Sequence, residues 1–197
     1  LTPAIAGLTL LYVFLNLSTG SIEKFSVSAL VGGYGQPLPW ANAALTAFLF
    51  ASAFGVLAGG TLADRTQRHG LVAASAFAGA AVLAALVAWG GLPPVAFVLC
   101  LGAAGFLTGM IAPSRDMLVR AAAPAGGEGK AFGIVSTGFN IGGAVGPAFF
   151  GWLLDRGHFS AIFWAAVVFM AITVGLTLLE ERNAARRSSA PVARTAP

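Results

Sequence analysis

The 197-residue chain carries charge on only 9% of its residues and is 57% hydrophobic, with a mean hydropathy of +0.85. A water-soluble domain has roughly 25% charged residues, so this composition excludes a solvated surface and puts lipid against most of the molecule. The net charge of +4 does not point to nucleic acid, because the basic residues fall in short connections between apolar runs instead of forming a patch.

Uncharged stretches cover residues 1–22, 25–63, 70–114, 131–154 and 159–179. A membrane-spanning helix needs about 20 apolar residues, and the Gly/Pro-rich runs at 32–39 and 90–94 are breaks within the longer stretches. The chain therefore divides into six helices. A membrane β-barrel would show strands of about 10 residues with alternating polarity, and the unbroken run 41–63 shows none. The predicted class is an all-α integral membrane protein. Residues 1–179 form the six-helix bundle, and residues 180–197 form a charged, then Ser/Ala/Pro-rich, disordered cytoplasmic tail.

Helix one starts at about Ala4. Tyr12, Asn16, Thr19 and Glu23 recur three or four residues apart and share one face, which makes them candidates for a substrate-cavity lining. About 20 residues at 1.5 Å each place Glu23 near the outer interface. If the helix runs on to Leu30, Glu23 lies deeper and faces a water-filled cavity. Asn16 and Thr19 have an alternative role, bonding a neighbouring helix. Helix two, about Ala41–Ala63, carries Ala51, Gly55, Gly59 and Ala63 at four-residue spacing, a seam for close helix approach. Trp40 before it and Trp89 after helix three (Leu71–Trp89) suit interfacial anchoring.

Helix four, about Pro94–Ala112, stops at Pro113-Ser114-Arg115-Asp116; Arg115 is a candidate substrate contact, but its depth favours snorkelling to the interface. A short amphipathic segment follows from Met117 and loses order over 124–129. Helix five, about Phe132–Leu154, has Gly142, Gly146 and Pro147 as packing and bending positions. Its Asn140, a further substrate-cavity candidate, lies near mid-membrane, where an amide needs a partner or water. Helix six spans about Phe159–Leu179. Arg65, Arg68, Arg115, Arg120, Lys130, Arg182, Arg186, Arg187 and Arg194 fall on one side of this topology, so the positive-inside rule places both chain ends in the cytoplasm of a plasma (inner) membrane. The two sets of three helices are near-equal in length, as in repeat-built transporters.

The stretch Gly60-Thr61-Leu62-Ala63-Asp64-Arg65-Thr66-Gln67-Arg68-His69 resembles the signature cytoplasmic loop of the major facilitator superfamily, G-x-L-x-D-[RK]-x-G-[RK]-[RK]. Gly60, Leu62, Asp64, Arg65 and Arg68 match it, whereas Gln67 replaces the usual Gly and His69 the usual cation. Residues 142–151 are similar to that family's G-x-x-x-G-P-x-x-G-G pattern, with Phe150 in place of a Gly. The run 113–120, with Gly133 and 151–155, is similar to the C-terminal half of bacterial members and to the fosmidomycin-resistance branch. The resemblance implies half of a twelve-helix fold whose N-terminal six-helix half is a partner. It also implies a cytoplasmic gate in which Asp64, Arg65 and Arg68 latch the two halves and bias the outward-open state. The absence of an initiator Met and the polar tail fit a C-terminal half.

The expected function is secondary, proton-coupled transport of a small molecule, with Glu23 or a carboxylate of the other half as proton carrier. The alternative is a non-transport six-helix scaffold acting as a dimer. The sequence holds no G-x-x-x-x-G-K-[ST] phosphate loop, no metal-ligand pair and no nucleophile–base set, so neither an enzyme nor a cofactor is expected. Cys100 is the single cysteine and forms no disulfide framework; it is expected to be buried and inert.

Overall fold

The computed structural model describes residues 3–66, 68–124 and 126–188. It contains six α-helices: α1 (Pro3–Tyr34), α2 (Leu38–Arg65), α3 (His69–Trp89), α4 (Pro94–Ala122), α5 (Glu128–Asp155) and α6 (Phe159–Ser188). There is no strand among the described residues. Five of the six are long and apolar enough to cross a membrane by composition alone. The exception is α5, in which glycines, Ser136, Thr137 and Asn140 dilute the apolar residues; it packs lengthwise along α1 nonetheless.

Several helices run further than the charge boundaries suggest. α1 continues through Glu23-Lys24 to Tyr34, because Ser26, Ala29 and Leu30 beyond those two charges are buried and hold the helix in the core. α4 passes through Pro113 without stopping. The proline removes one backbone donor, and in a helix flanked by neighbours that loss is tolerated. Beyond it, Leu118 and Val119 bury against Ile5, Leu8 and Leu11 of α1 and Val135 of α5. The separate amphipathic segment expected after Met117 is thus the last part of α4, and α5 begins as early as Glu128.

The expected disordered tail is also corrected over residues 180–188, which continue α6; 189–197 lie outside the described residues. Glu181 has a definite task. Its Oε2 accepts the backbone N–H of Gly70, in the first turn of α3, at 3.0 Å. A carboxylate there satisfies an orphan amide and complements the helix dipole.

The helix pairing is two-fold symmetric. The α2–α4 contact mirrors α1–α5, the α1–α6 contact mirrors α3–α4, and α3 meets α6. Exchanging α1-α2-α3 with α4-α5-α6 reproduces this pattern, so the bundle is two three-helix repeats. Both inter-repeat seams run parallel. On α4, a Cβ at Gly105 or Gly109 would collide with the carbonyl oxygens of Phe48 and Ser52, and Gly55 and Gly59 of α2 face Phe106 and Met110 in return. On α5, Gly138 abuts the Thr9 carbonyl, and a Cβ at Gly142 would lie 2.7 Å from that of Val13. Residue order advances together along each pair, which is possible only if the repeats are inverted relative to one another.

Side chains mark the two ends. Gly7 sits under Glu180, and Tyr12 reaches Asp116, at the end where α1 starts and α6 finishes. Arg65, Arg68, Arg120 and Lys130 lie in the helix ends and turns on that side. At the opposite end the Tyr34 hydroxyl donates to the Ala88 carbonyl at 2.8 Å, and Gly90, at a φ of 78° open to glycine, ends α3. All four tryptophans, Trp40, Trp89, Trp152 and Trp164, belong to this half and are exposed. That is an aromatic belt, of which the sequence pattern alone had indicated Trp40 and Trp89. α3, running from basic end to tryptophan belt, rises about 30 Å, the thickness of a hydrocarbon core.

Replacing Gly105 with Val should push α4 off α2 and lower stability by about 1–3 kcal/mol, read as a lower melting temperature in detergent. Gly133→Ala, where a Cβ meets nothing within 4 Å, should leave it unchanged or slightly raised.

Candidate functional site

α1, α2, α4 and α5 wall a cleft of about 140 Å³, to which α3 and α6 contribute nothing. Thr19 and Glu23 line it from α1, Ser52 and Val56 from α2, Thr108 and Arg115 from α4, and Phe139 from α5. Among the described residues, Glu23 and Arg115 are its only ionisable lining residues. An ionised side chain within a membrane-spanning helix is costly and is retained where it faces a cavity or a partner.

The predicted polar stripe of α1 is divided by its neighbours. Thr19 and Glu23 reach the cleft. With α1 running on to Tyr34, Glu23 sits about 16 Å short of that end, inside the span and not at the interface. Asn16 turns instead into the α1–α5 seam, its Cβ 2.9 Å from where a Gly142 Cβ would be, and lines a smaller recess with Gly20, Gly142, Gly146 and Pro147. Tyr12 is buried and points at α4. Asn140 is exposed on α5 and lines neither space.

The sequence places Arg115 and Asp116 at the interface; Met110 of α4 lies against Gly59 of α2, which sets Arg115 level with Asp64 near the basic end. Arg115 lies about 10 Å short of the end of α4 and turns into the cleft. Its guanidinium stacks over the Tyr12 ring at 4.9 Å and near Phe139 at 6.0 Å. Its Nε donates to Asp116 Oδ1 at 3.4 Å, and the Tyr12 hydroxyl donates to the same oxygen at 2.9 Å. This group ties α1 to α4, two helices that otherwise barely touch. The signal for it was present in Thr108, Ala112 and Arg115, three and four residues apart on one face. Pro113, which in sequence marks a helix end, masks that face, yet it lies inside α4.

The charged signature also takes a different local form. Gly60, Asp64 and Arg65 are in the last turns of α2, and only residues 66–68 lie between the helices. Thr66 Oγ1 accepts the Arg68 amide at 3.2 Å, closing this turn. Asp64 is therefore at a helix C-terminus, where the dipole favours the neighbouring Arg65 over a carboxylate. The acid at the start of α3 is Glu181. Asp64, Arg65 and Arg68 are exposed, and among the described residues none makes an ion pair. Gly60 has no neighbour within 4 Å of a built Cβ.

The model of the Major Facilitator Superfamily matches residues 4–196, nearly the whole chain. The chain belongs to the major facilitator superfamily. A search of curated proteins found no match. The family match reaches the superfamily and not a branch within it. As a member, the protein is a multi-pass membrane protein of a family that transports small molecules, and its inverted three-helix repeats are the units from which such transporters are built. Among the described residues there is no cluster of His, Cys, Asp or Glu able to hold a metal. Cys100 is half-buried in α4.

Tyr12→Phe removes the hydroxyl that joins α1 to α4. Stability should fall by about 1 kcal/mol, and in an Asp116→Ala background, which lacks the acceptor, the Tyr12→Phe change should cost nothing further. A thermal-melt double-mutant cycle checks this.

Proposed function

We propose that the chain is the C-terminal six-helix half of a twelve-helix secondary transporter that moves a small molecule by alternating access. The observation that carries this reading is the cleft between α1, α2, α4 and α5, with Glu23 and Arg115 inside it and the α3–α6 pair away from it. A six-helix partner facing those four helices would close the cleft into a substrate cavity, and rocking of the two bundles would open it to each side in turn.

The basic end is cytoplasmic in this reading and the tryptophan belt faces outward in a plasma membrane. Asp64, Arg65 and Arg68, exposed and without an ion-pair partner among the described residues, are then free to engage the other half at the cytoplasmic side. Such a contact forms when that side is closed and so favours the outward-open state. Glu23, the one carboxylate lining the cleft, is the proton carrier within this half.

Reporter fusions after Arg68 and after Gly35 should fall in opposite compartments, with Arg68 inside; both in one compartment would dismantle the topology. Glu23→Gln should abolish proton-driven accumulation in the full-length protein while leaving solute exchange at equal pH largely intact. Undiminished accumulation would move the proton site to the other half.

A further inference from the structure

We propose that the solute is a small organic anion and that Arg115 holds its carboxylate, phosphate or phosphonate group. This deepens the transporter reading and rests on it.

Arg115 is held in place by contacts that leave its binding edge open. Its guanidinium carbon lies over the Tyr12 ring and near that of Phe139, and Asp116 takes only Nε. Among the described residues, neither terminal nitrogen of the guanidinium makes a hydrogen bond. Those two nitrogens are the fork that grips an oxyanion in bidentate fashion. The bond from Nε is 3.4 Å long, beyond the 2.7–2.9 Å of a strong charge-assisted contact. Asp116 Oδ1 also accepts the shorter Tyr12 bond, so its charge is shared and Arg115 is only weakly compensated. The Arg115 side chain is 25% exposed and is one of the residues that line the cleft.

The rest of the wall fits this polarity. The Thr108 hydroxyl donates to the Gly105 carbonyl at 2.8 Å and that of Thr19 to the Leu15 carbonyl at 3.0 Å. Their protons are engaged by the backbone, so toward the cleft the two oxygens present acceptors. Arg115 is thus the strong donor of the wall, and Glu23 and the threonines are acceptors. A cation at the Arg115 end would meet a like charge that Asp116 offsets only through the long Nε contact, whereas an anion meets a fork with both terminal nitrogens open. The acceptors further along suit hydroxyl or amide hydrogens on the solute's neutral part.

A lipid phosphate is chemically equivalent to the proposed solute group, and the test separates the two. The full-length protein is reconstituted in phosphatidylcholine vesicles. Exchange is measured for radiolabelled citrate, benzoate, inorganic phosphate and methylphosphonate, for glucose as a neutral solute, and for tetraphenylphosphonium as a cation. The expected result is exchange of at least one of the anions and not of glucose or the cation. Arg115→Lys, which keeps charge and stem but loses the fork, should weaken that anion's half-saturation about tenfold or more, and Arg115→Gln should abolish exchange. The melting temperature of Arg115→Lys should stay near wild type, which separates binding from folding. Exchange of glucose or the cation alone would overturn the anion assignment and leave the transporter reading standing. Anion exchange unchanged in both variants would do the same. A folded protein that exchanges nothing would overturn both. An Arg115-dependent rise in melting temperature with phosphatidylglycerol vesicles, without anion exchange, would assign the guanidinium to lipid and overturn the proposal.

Discussion

Backbone-to-backbone contact at glycine is the constraint on which this bundle depends. In lipid, burying a leucine against another helix gains little over leaving it in acyl chains, so association relies on close van der Waals approach. Gly55 and Gly59 on α2 against Gly105 and Gly109 on α4 provide that approach on one side, and Gly138 and Gly142 against α1 provide it on the other. These seams fix the registers of α4 on α2 and of α5 on α1. Each joins one repeat to the other, so the same contacts that hold the helices together also set the two-fold arrangement.

The cleft follows from that arrangement. Tight α2–α4 and α1–α5 seams, backed by α3 and α6, leave α1 and α4 only lightly in contact. Polar side chains on the facing surfaces of those two helices are not squeezed out. Tyr12, Asp116 and Arg115 bridge them near the basic end, and Glu23 with Thr19 and Thr108 occupies the space beyond. Away from the cleft, aromatic side chains pack together: Phe25, Phe149, Phe150 and Phe169 meet ring to ring, as do Tyr34, Phe97 and Phe163. Aromatic packing stiffens the end near the tryptophan belt and leaves polar chemistry to the cleft.

The chain's two unlike ends come from separate physics. Arginines and lysines collect where α1 begins and α6 finishes, tryptophans where α2, α4 and α6 begin, and Arg156 there stacks on Trp152 at 4.2 Å. At the basic end, Glu180 and Glu181 are not loose tail charges. They lie against the second turn of α1 and the first turn of α3, placing negative charge toward the helix N-termini, where the dipoles favour it.

Composition and apolar run length settled the class of this protein: so little charge leaves lipid as the only surrounding that suits it, and the Gly/Pro breaks divide it into six helices. The signature at 60–69 and the glycine pattern of helix five were sufficient to place the superfamily. What could not be read from residue order is which side of a polar residue faces a neighbour. Asn16 and Thr19 look equivalent along α1, yet one lies under Gly142 and the other in the cleft. Arg115 seemed to end a helix until Leu118 and Val119 were seen buried beyond Pro113. Spacing along one helix assigns a face, but only the packing of a second helix, many residues away, decides whether that face meets lipid, a seam or an opening.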